Sequence, residues 1–430
     1  MSAVPPRVTR FTSPLPVVAA GLVAGIASLA AVGLPALAVQ EPARIDRFLQ
    51  SYVDSNRIGG AVVLVLRDGK VVYERGVGWA DREAKRPMTA DAIFRIASES
   101  KPVTSVAILQ LAEAGKLSID DAVSRWLPTF ARTFVASDAP GDSGRTVVPA
   151  RRPITIRDLI THTAGISYGL EPQVASRYAV KALGPGAGAG LAWYTADKDE
   201  PACATMERLG TLPFVAQPGE RWVFGYNLDI LGCVVERASG MPLDRYIRDH
   251  ITAPLGMKDT YFFLPPEQRA RLVAVYTSDS VRQAQRGPEG PRGQGNYVDG
   301  PRKNFAGGAG LLSTARDYSR FLEMIRAGGT LDGVRILSSR SVDLMTHNQI
   351  GARYGIPGQG FGFGFYTIDS TGADGPKSVG TFGWRGGYGT IAFVDPKEKL
   401  TVVFMINQIP NTADLAAKLP AVVYDAVVVR

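Results

Sequence analysis

The sequence predicts a mixed α/β (α+β) fold. One antiparallel sheet is drawn from both ends of the chain and flanked by helices, with a mostly helical domain inserted between. Three observations carry this expectation. β-rich runs occupy Ala61–Leu66 and Val71–Val77, and β-character returns only from Phe361 onward. Between them, from about Leu117 to Gly300, lie helical patches broken by Pro and Gly. The 430 residues suffice for two packed regions around a large core.

Taken in order, the chain opens with an export signal. Arg7 and Arg10 precede an apolar run from Leu15 to Leu34, and Ala36-Leu37-Ala38 offers small residues for cleavage. Residues 1–38 are therefore expected to be a signal peptide rather than a membrane anchor. Pro14, Pro16 and several glycines disfavour a spanning helix, and no later segment is apolar for long enough to span a bilayer. Next, Ile45, Phe48, Leu49, Tyr52 and Val53 form an apolar stripe at helical spacing. Asp68-Gly69 separates the two β-runs and predicts a hairpin. A helix is predicted from about Ser98, with apolar residues at Val103, Val106, Ala107, Leu109 and Leu111 and a stop near Gly115. Loops are expected at Asp138–Pro153, Gly184–Gly190 and Arg282–Arg302. Strands follow at 363–368, 378–384, 390–395 and 400–406, and a helix over 415–428 closes the chain. The domain boundaries read as 43–116 with 300–430 for the sheet, and 117–299 for the insertion.

Composition excludes several classes. Lys and Arg number 48 against 40 acidic residues, a net charge of +8, and removing residues 1–38 takes away two arginines to leave +6. The excess is scattered, with local concentrations only at Arg151-Arg152 and in the Arg282–Lys303 loop, so nucleic acid is not an expected partner. After signal cleavage no stable membrane insertion is expected either. The three histidines, His162, His250 and His347, have no metal-ligand spacing, and no metal or other cofactor is expected. The chain holds two cysteines. Export permits a disulfide, but Cys233 sits in the apolar helical run Ile230-Leu231-Gly232-Cys233-Val234-Val235 and reads as a buried free thiol.

Chemistry concentrates at Ser98-Glu99-Ser100-Lys101. At the start of a helix, Ser98 and Lys101 share one face, three residues apart. A serine hydroxyl is a weak nucleophile that needs a base. An amine becomes that base if burial and the partial positive charge of a helix N-terminus depress its pKa. A second serine, Ser167, lies in Gly165-Ile166-Ser167-Tyr168-Gly169, which fits a G-x-S-x-G nucleophile elbow. An elbow needs a strand before it and a helix after it. Here a helical pattern precedes and a polar loop follows, and His162 is too close along the chain to be its partner, so Ser98 is the expected nucleophile.

The flanks of Ser98 resemble the serine β-lactamase and penicillin-recognising family, in its class C-like esterase branch. The resemblance rests on Phe94-Arg95-Ile96-Ala97-Ser98 with Ser100-Lys101-Pro102, on Ile154–Gly165, on Gly307-Gly308-Ala309-Gly310-Leu311 with Ser313–Asp317, and on Gly383-Trp384-Arg385-Gly386-Gly387. These stand in the family's order over roughly residues 43 to 430. The resemblance implies the same two-part architecture, with a pocket where the parts meet. It implies Ser98 as nucleophile, Lys101 as base, and the backbone N–H groups of Ser98 and Gly387 as an oxyanion hole. Trp384, Gly386 and Phe224 would contact substrate. In that family a tyrosine follows a Pro-Gly-x-x-Trp pattern as second acid/base group. Here Pro218-Gly219-Glu220-Arg221-Trp222 leads to Phe224, which cannot transfer a proton. Tyr226, two residues on, is the candidate replacement if the backbone is extended; otherwise Lys101 acts as sole base. Trp384 stands where the family often has Lys or His, which disfavours a substrate carboxylate. Arg385 could supply the missing charge in part, but alternation along a strand points it to the opposite face. The expected activity is that of an exported, periplasmic or secreted serine hydrolase, a carboxylesterase acting on small-molecule esters. The alternatives are a β-lactamase or D-amino-acid peptidase acting on β-lactams or amides, and, because of Phe224, a ligand-binding pseudoenzyme.

Overall fold

The hairpin read at Asp68-Gly69 is the seed of the architecture. In the computed structural model, which describes residues 42–137, 146–184, 196–291, 293–411 and 413–428, both turn residues have left-handed backbone, φ 51° and 74°. That geometry matches the right-handed twist of the strands it joins. The strands are β1 (Gly60–Arg67) and β2 (Lys70–Asp81), followed by the short β3 (Arg86–Pro87). The C-terminal part adds β4 (Gln359–Phe361), β5 (Tyr366–Ile368), β6 (Phe382–Arg385), β7 (Ile391–Asp395) and β8 (Leu400–Met405). Together they form one eight-stranded sheet in the order β4-β5-β6-β7-β8-β1-β2-β3, with antiparallel neighbours throughout. The two ends of the chain meet where β1 pairs with β8, Val62 opposite Met405. The predicted sheet from both termini is thus present.

Both faces of this sheet are covered, which is why β1 reads as a continuous apolar run rather than an alternation. Ala61, Val63 and Val65 pack with Ile45 and Leu49 of α1 (Pro42–Asp54). On the other face, Val62, Leu64 and Leu66 join a second core. To it belong α2 (Ser100–Glu113), α3 (Ile156–Ile160), α4 (Ala202–Leu209), α5 (Asn227–Ser239) and α6 (Ala315–Arg326). Leu415, Leu419 and Val423 of α7 (Leu415–Val427) close the first face. The second core is continuous from the sheet into the segment between residues 117 and 299. Within it, α2 is buried on nearly every side, including the polar Ser100, Lys101, Thr104 and Ser105. A helix wrapped this way holds its first turn rigidly.

One expectation is overturned. Cys233 is not a free thiol: it forms a disulfide with Cys203, 30 residues earlier. The apolar run around Cys233 is the buried face of α5. Packing of α4 against that face brings Cys203, the second residue of α4, within bridging distance, 5.3 Å between Cα atoms. The expected signal peptide, residues 1–38, lies outside the described residues, as do 138–145, 185–190 and 292 of the predicted loops. Among the described residues no helix is long and apolar enough to cross a membrane.

Candidate active site

Ser98 sits on a single 3₁₀ turn, Ala97–Glu99, that runs directly into α2. The preceding Ala97 has φ 43°, a conformation that costs a non-glycine residue free energy and survives only where surroundings impose it. Those surroundings can be named. The buried guanidinium of Arg95 donates to the carbonyls of Val273 and Gln294. The Ser100 hydroxyl accepts the N–H of Leu311 at 3.0 Å, and the Tyr318 phenol donates to the Glu99 carbonyl at 2.9 Å.

One turn along, Lys101 is wholly buried, and its Nζ has three polar neighbours. They are Ser98 Oγ at 3.0 Å, Tyr168 OH at 3.1 Å and the Gly308 carbonyl at 2.7 Å. Burial lowers its pKa from 10.5 to about 7, against an opposing pull from the buried carboxylate of Asp229. A neutral amine has two N–H donors and one lone pair. The Gly308 carbonyl can only accept, so it takes one N–H. The lone pair is then available to the Ser98 hydroxyl and the second N–H to Tyr168. Asp229 also braces this arrangement by accepting the Gly308 N–H at 2.6 Å. A Cβ at Gly308 would lie 2.4 Å from that carboxylate, which accounts for the glycine.

The structure places the two candidate aromatic residues differently from each other. Phe224 does occupy the site, its ring 4.6 Å from Lys101 Nζ. Tyr226, however, is the N-cap residue of α5 rather than part of an extended segment, and its hydroxyl accepts the N–H of Gly184 at 3.1 Å. The phenol brought to Lys101 is Tyr168, from within the G-x-S-x-G stretch. Backbone geometry explains that stretch. Gly165 and Gly169 have φ 78° and 77°, and a Cβ on Gly165 would lie 2.0 Å from the Ala216 carbonyl. Ser167 is wholly buried, and its hydroxyl accepts the N–H of Gly169 at 3.0 Å. Its neighbour Tyr168 packs edge-on against Phe224 and Tyr226, with ring centroids 5.4 and 4.7 Å away. Burial raises the Tyr168 pKa well above its ordinary value. His162 is also buried. Its Nδ1 contacts the Asn227 amide at 2.8 Å, and burial followed by the nearby Lys101 amine pushes its pKa well down.

The remaining wall is β6 and the turn after it. The N–H groups of Gly386 and Gly389 are used within that turn, donating to Thr390 O and Gly386 O at 2.9 Å each. Gly387 lies against Ala97, and with Ser98 and Gly386 it lines a cleft of about 410 Å³. Trp222, Phe224, Tyr354, Tyr366 and Trp384 supply most of its aromatic surface. Trp384 is buried, while Arg385 is exposed, as strand alternation requires, yet it still borders the cleft mouth and lies 3.7 Å from Asp374. Among the described residues no cluster of His, Cys, Asp or Glu is arranged to hold a metal ion.

Known proteins resemble this chain over most of its length. A family model described as Beta-lactamase covers residues 45–425. Protein Rv1367c of Mycobacterium tuberculosis is 35% identical over 384 residues, 86% of this chain and 91% of its own length. Esterase EstB of Burkholderia gladioli is 34% identical over 380 residues, covering 85% and 90%. Among solved structures, EstCE1, described as a hydrolase with promiscuous acyltransferase activity, superposes with a TM-score of 0.75 at 30% identity. That match covers 91% of this chain and 100% of the other.

Proposed function

The chain belongs to the β-lactamase family and is a serine hydrolase, and on that premise we propose that it is a carboxylesterase working through an acyl-enzyme on Ser98. The observation that carries the reading is the buried Lys101 amine, with its depressed pKa, in contact with both Ser98 Oγ and Tyr168 OH. Ser98 attacks the ester carbonyl as Lys101 takes its proton. The oxyanion is held by the N–H groups of Ser98 and Gly387, a term whose loss typically costs about a hundredfold or more in rate. Lys101 then passes its proton to the leaving alcohol, with Tyr168 holding the amine in line. The same amine then deprotonates a water that attacks the acyl carbonyl, and it returns that proton to Ser98 Oγ as the acyl–oxygen bond breaks. Trp384, Trp222 and Phe224 favour apolar ester groups.

The absence of a cation at the Trp384 position argues for esters over β-lactams or peptides. The assembled Ser98–Lys101–Tyr168 cluster argues against a pure binding protein. We extend the reading to export: cleavage after Ala38 would give a mature chain beginning near Val39, which N-terminal sequencing of secreted protein checks. Intact mass after treatment with a fluorophosphonate, beside a penicillin, tests the chemistry. Adduct on Ser98 with the first and little with the second is expected. No adduct in wild type, or an adduct retained in Ser98→Ala, refutes the assignment.

A further inference from the structure

The Lys101 amine is aimed by a peptide that two helices hold. Gly308, whose carbonyl accepts from Lys101 at 2.7 Å, follows Gly307, and the peptide joining the two glycines is gripped at both ends. At one end the Gly307 carbonyl accepts the hydroxyl of Thr104, on α2, at 2.7 Å. At the other the Gly308 N–H donates to Asp229 Oδ1, in the first turn of α5, at 2.6 Å. Both gripping side chains are buried. The grip needs both glycines. A Cβ on Gly307 would lie 2.6 Å from the Leu228 carbonyl and 3.2 Å from Thr104 Cγ2, and one on Gly308 would run into the Asp229 carboxylate.

Charge adds to this geometry. When Lys101 takes the Ser98 proton it becomes a buried ammonium, and the Asp229 carboxylate favours that charged form. The other titratable groups facing the pair are His162, Tyr168 and Tyr226. Burial pushes the His162 pKa well down and both phenols up. Glu99 stands at the N-cap of α2, where its main-chain carbonyl accepts the Tyr318 phenol.

We propose that Thr104 and Asp229 are positioning residues for the hydrolysis assigned above: they fix the Gly307–Gly308 peptide so that the Gly308 carbonyl turns the Lys101 lone pair toward Ser98, and Asp229 also stabilises the ammonium formed there. The proton passes from Ser98 Oγ to Lys101 Nζ as the bond from Oγ to the ester carbon forms, and Asp229 neither gains nor gives one. Neither residue lines the cleft, so the effect falls on kcat rather than KM.

The inference rests on the acyl-enzyme reading, and the test separates the two. Wild type, Asp229→Asn, Thr104→Val and Thr104→Ser are compared on one nitrophenyl ester from about pH 5 to 9, with thermal melts to establish folding. Asparagine keeps an oxygen for the Gly308 N–H and removes the charge. Without that charge the amine is a weaker base. The rising limb of kcat/KM near pH 7 should move to lower pH by about one unit, and the plateau of kcat should fall by about threefold. Thr104→Val removes the donor with little change of shape. It should lower kcat by about tenfold, part of what a misplaced group can cost, with the limb unmoved and KM little changed. Thr104→Ser keeps the hydroxyl and should recover most of that rate. A merely structural role would lower the melting temperature without moving the limb. An Asp229→Asn limb that stays in place or moves up overturns the proposal. So does unchanged kcat in Thr104→Val, or a serine variant no faster than the valine one. Should either Asp229→Asn or Thr104→Val not fold, the other decides. Should wild type fail to label at Ser98 with fluorophosphonate, the acyl-enzyme reading falls and this one with it. Labelling in wild type beside an unmoved Asp229→Asn limb removes only the role given to the clamp.

Discussion

Replacing Tyr168 by Phe deletes one oxygen, and the structure says what that oxygen does. It lies 3.1 Å from Lys101 Nζ and is shielded from water, and burial holds its pKa well above the ordinary value. Removing it leaves a buried N–H of the amine without an acceptor and frees the amine to swing from Ser98. A general base in place is worth about a hundredfold or more, so if Tyr168 is what holds Lys101 in line, kcat/KM should fall by about that factor, or roughly 2.7 kcal/mol of barrier. The ring contacts with Phe224 and Tyr226 survive, so the fold should not suffer much. Tyr226→Phe is the matched control. It removes an oxygen that accepts the Gly184 N–H, at a stability cost of about 1–3 kcal/mol for an unsatisfied buried donor, but should leave the rate within about threefold. Both variants are assayed above pH 7 with one nitrophenyl ester, alongside urea melts. A Tyr168→Phe enzyme within about threefold of wild type, against that acid/base scale, refutes the reasoning. So does a Tyr226→Phe enzyme that loses as much.

Three further outcomes follow from the same geometry. The pH profile of kcat/KM should rise through about pH 7 as Lys101 sheds its proton, and a profile flat from pH 6 to 8 would contradict the buried-amine base. Lys101→Met should abolish hydrolysis yet raise the melting temperature: the fall from 10.5 to about 7 marks a burial penalty of about 5 kcal/mol, fully present below pH 7. Between about pH 7 and 10.5 the unfolded chain binds the proton that the folded chain lacks, so that penalty fades as pH rises, in wild type but not in the variant. Replacing Cys203 and Cys233 together by Ser should cost about 3–4 kcal/mol for a loop closed across some 30 residues, read as a lower urea midpoint with unchanged kcat at 25 °C.

The fold was legible because it is written locally. Asp68-Gly69 carries its turn, and the apolar runs at 60–67 and 400–405 carry their strands, with no help from distant residues. Ser98 and Lys101 were legible for the same reason, since three residues of helix fix their spacing. Tyr168 and the disulfide were not. Each depends on contacts between segments far apart in sequence. Tyr168 reaches Lys101 from 67 positions away, past two left-handed glycines. A signal was present, though misattributed. Gly165 and Gly169 marked a tightly folded segment, and a G-x-S-x-G pattern that lacks its strand and helix invites the question of what else it carries. The residue that meets Lys101 is the one beside the serine.

Dryness unites the features of this site. On the proposed reading Lys101 is a base near neutral pH because it is buried, and burial takes the Tyr168 phenol still further from ionisation. In water the Lys101 amine would hold its proton at neutral pH and could not act as a base. The fold meets the cost by setting α2 in the centre of the larger core and pinning its first turn through Arg95, Ser100 and Tyr318. The aromatic wall of Trp222, Phe224 and Trp384 extends the same dryness to the cleft. A substrate that binds there must give up hydration too, which is cheap for an apolar ester and expensive for the carboxylate of a β-lactam or a peptide terminus. If Lys101 is the base proposed above, the environment that lets an amine do that work also disfavours charged substrates.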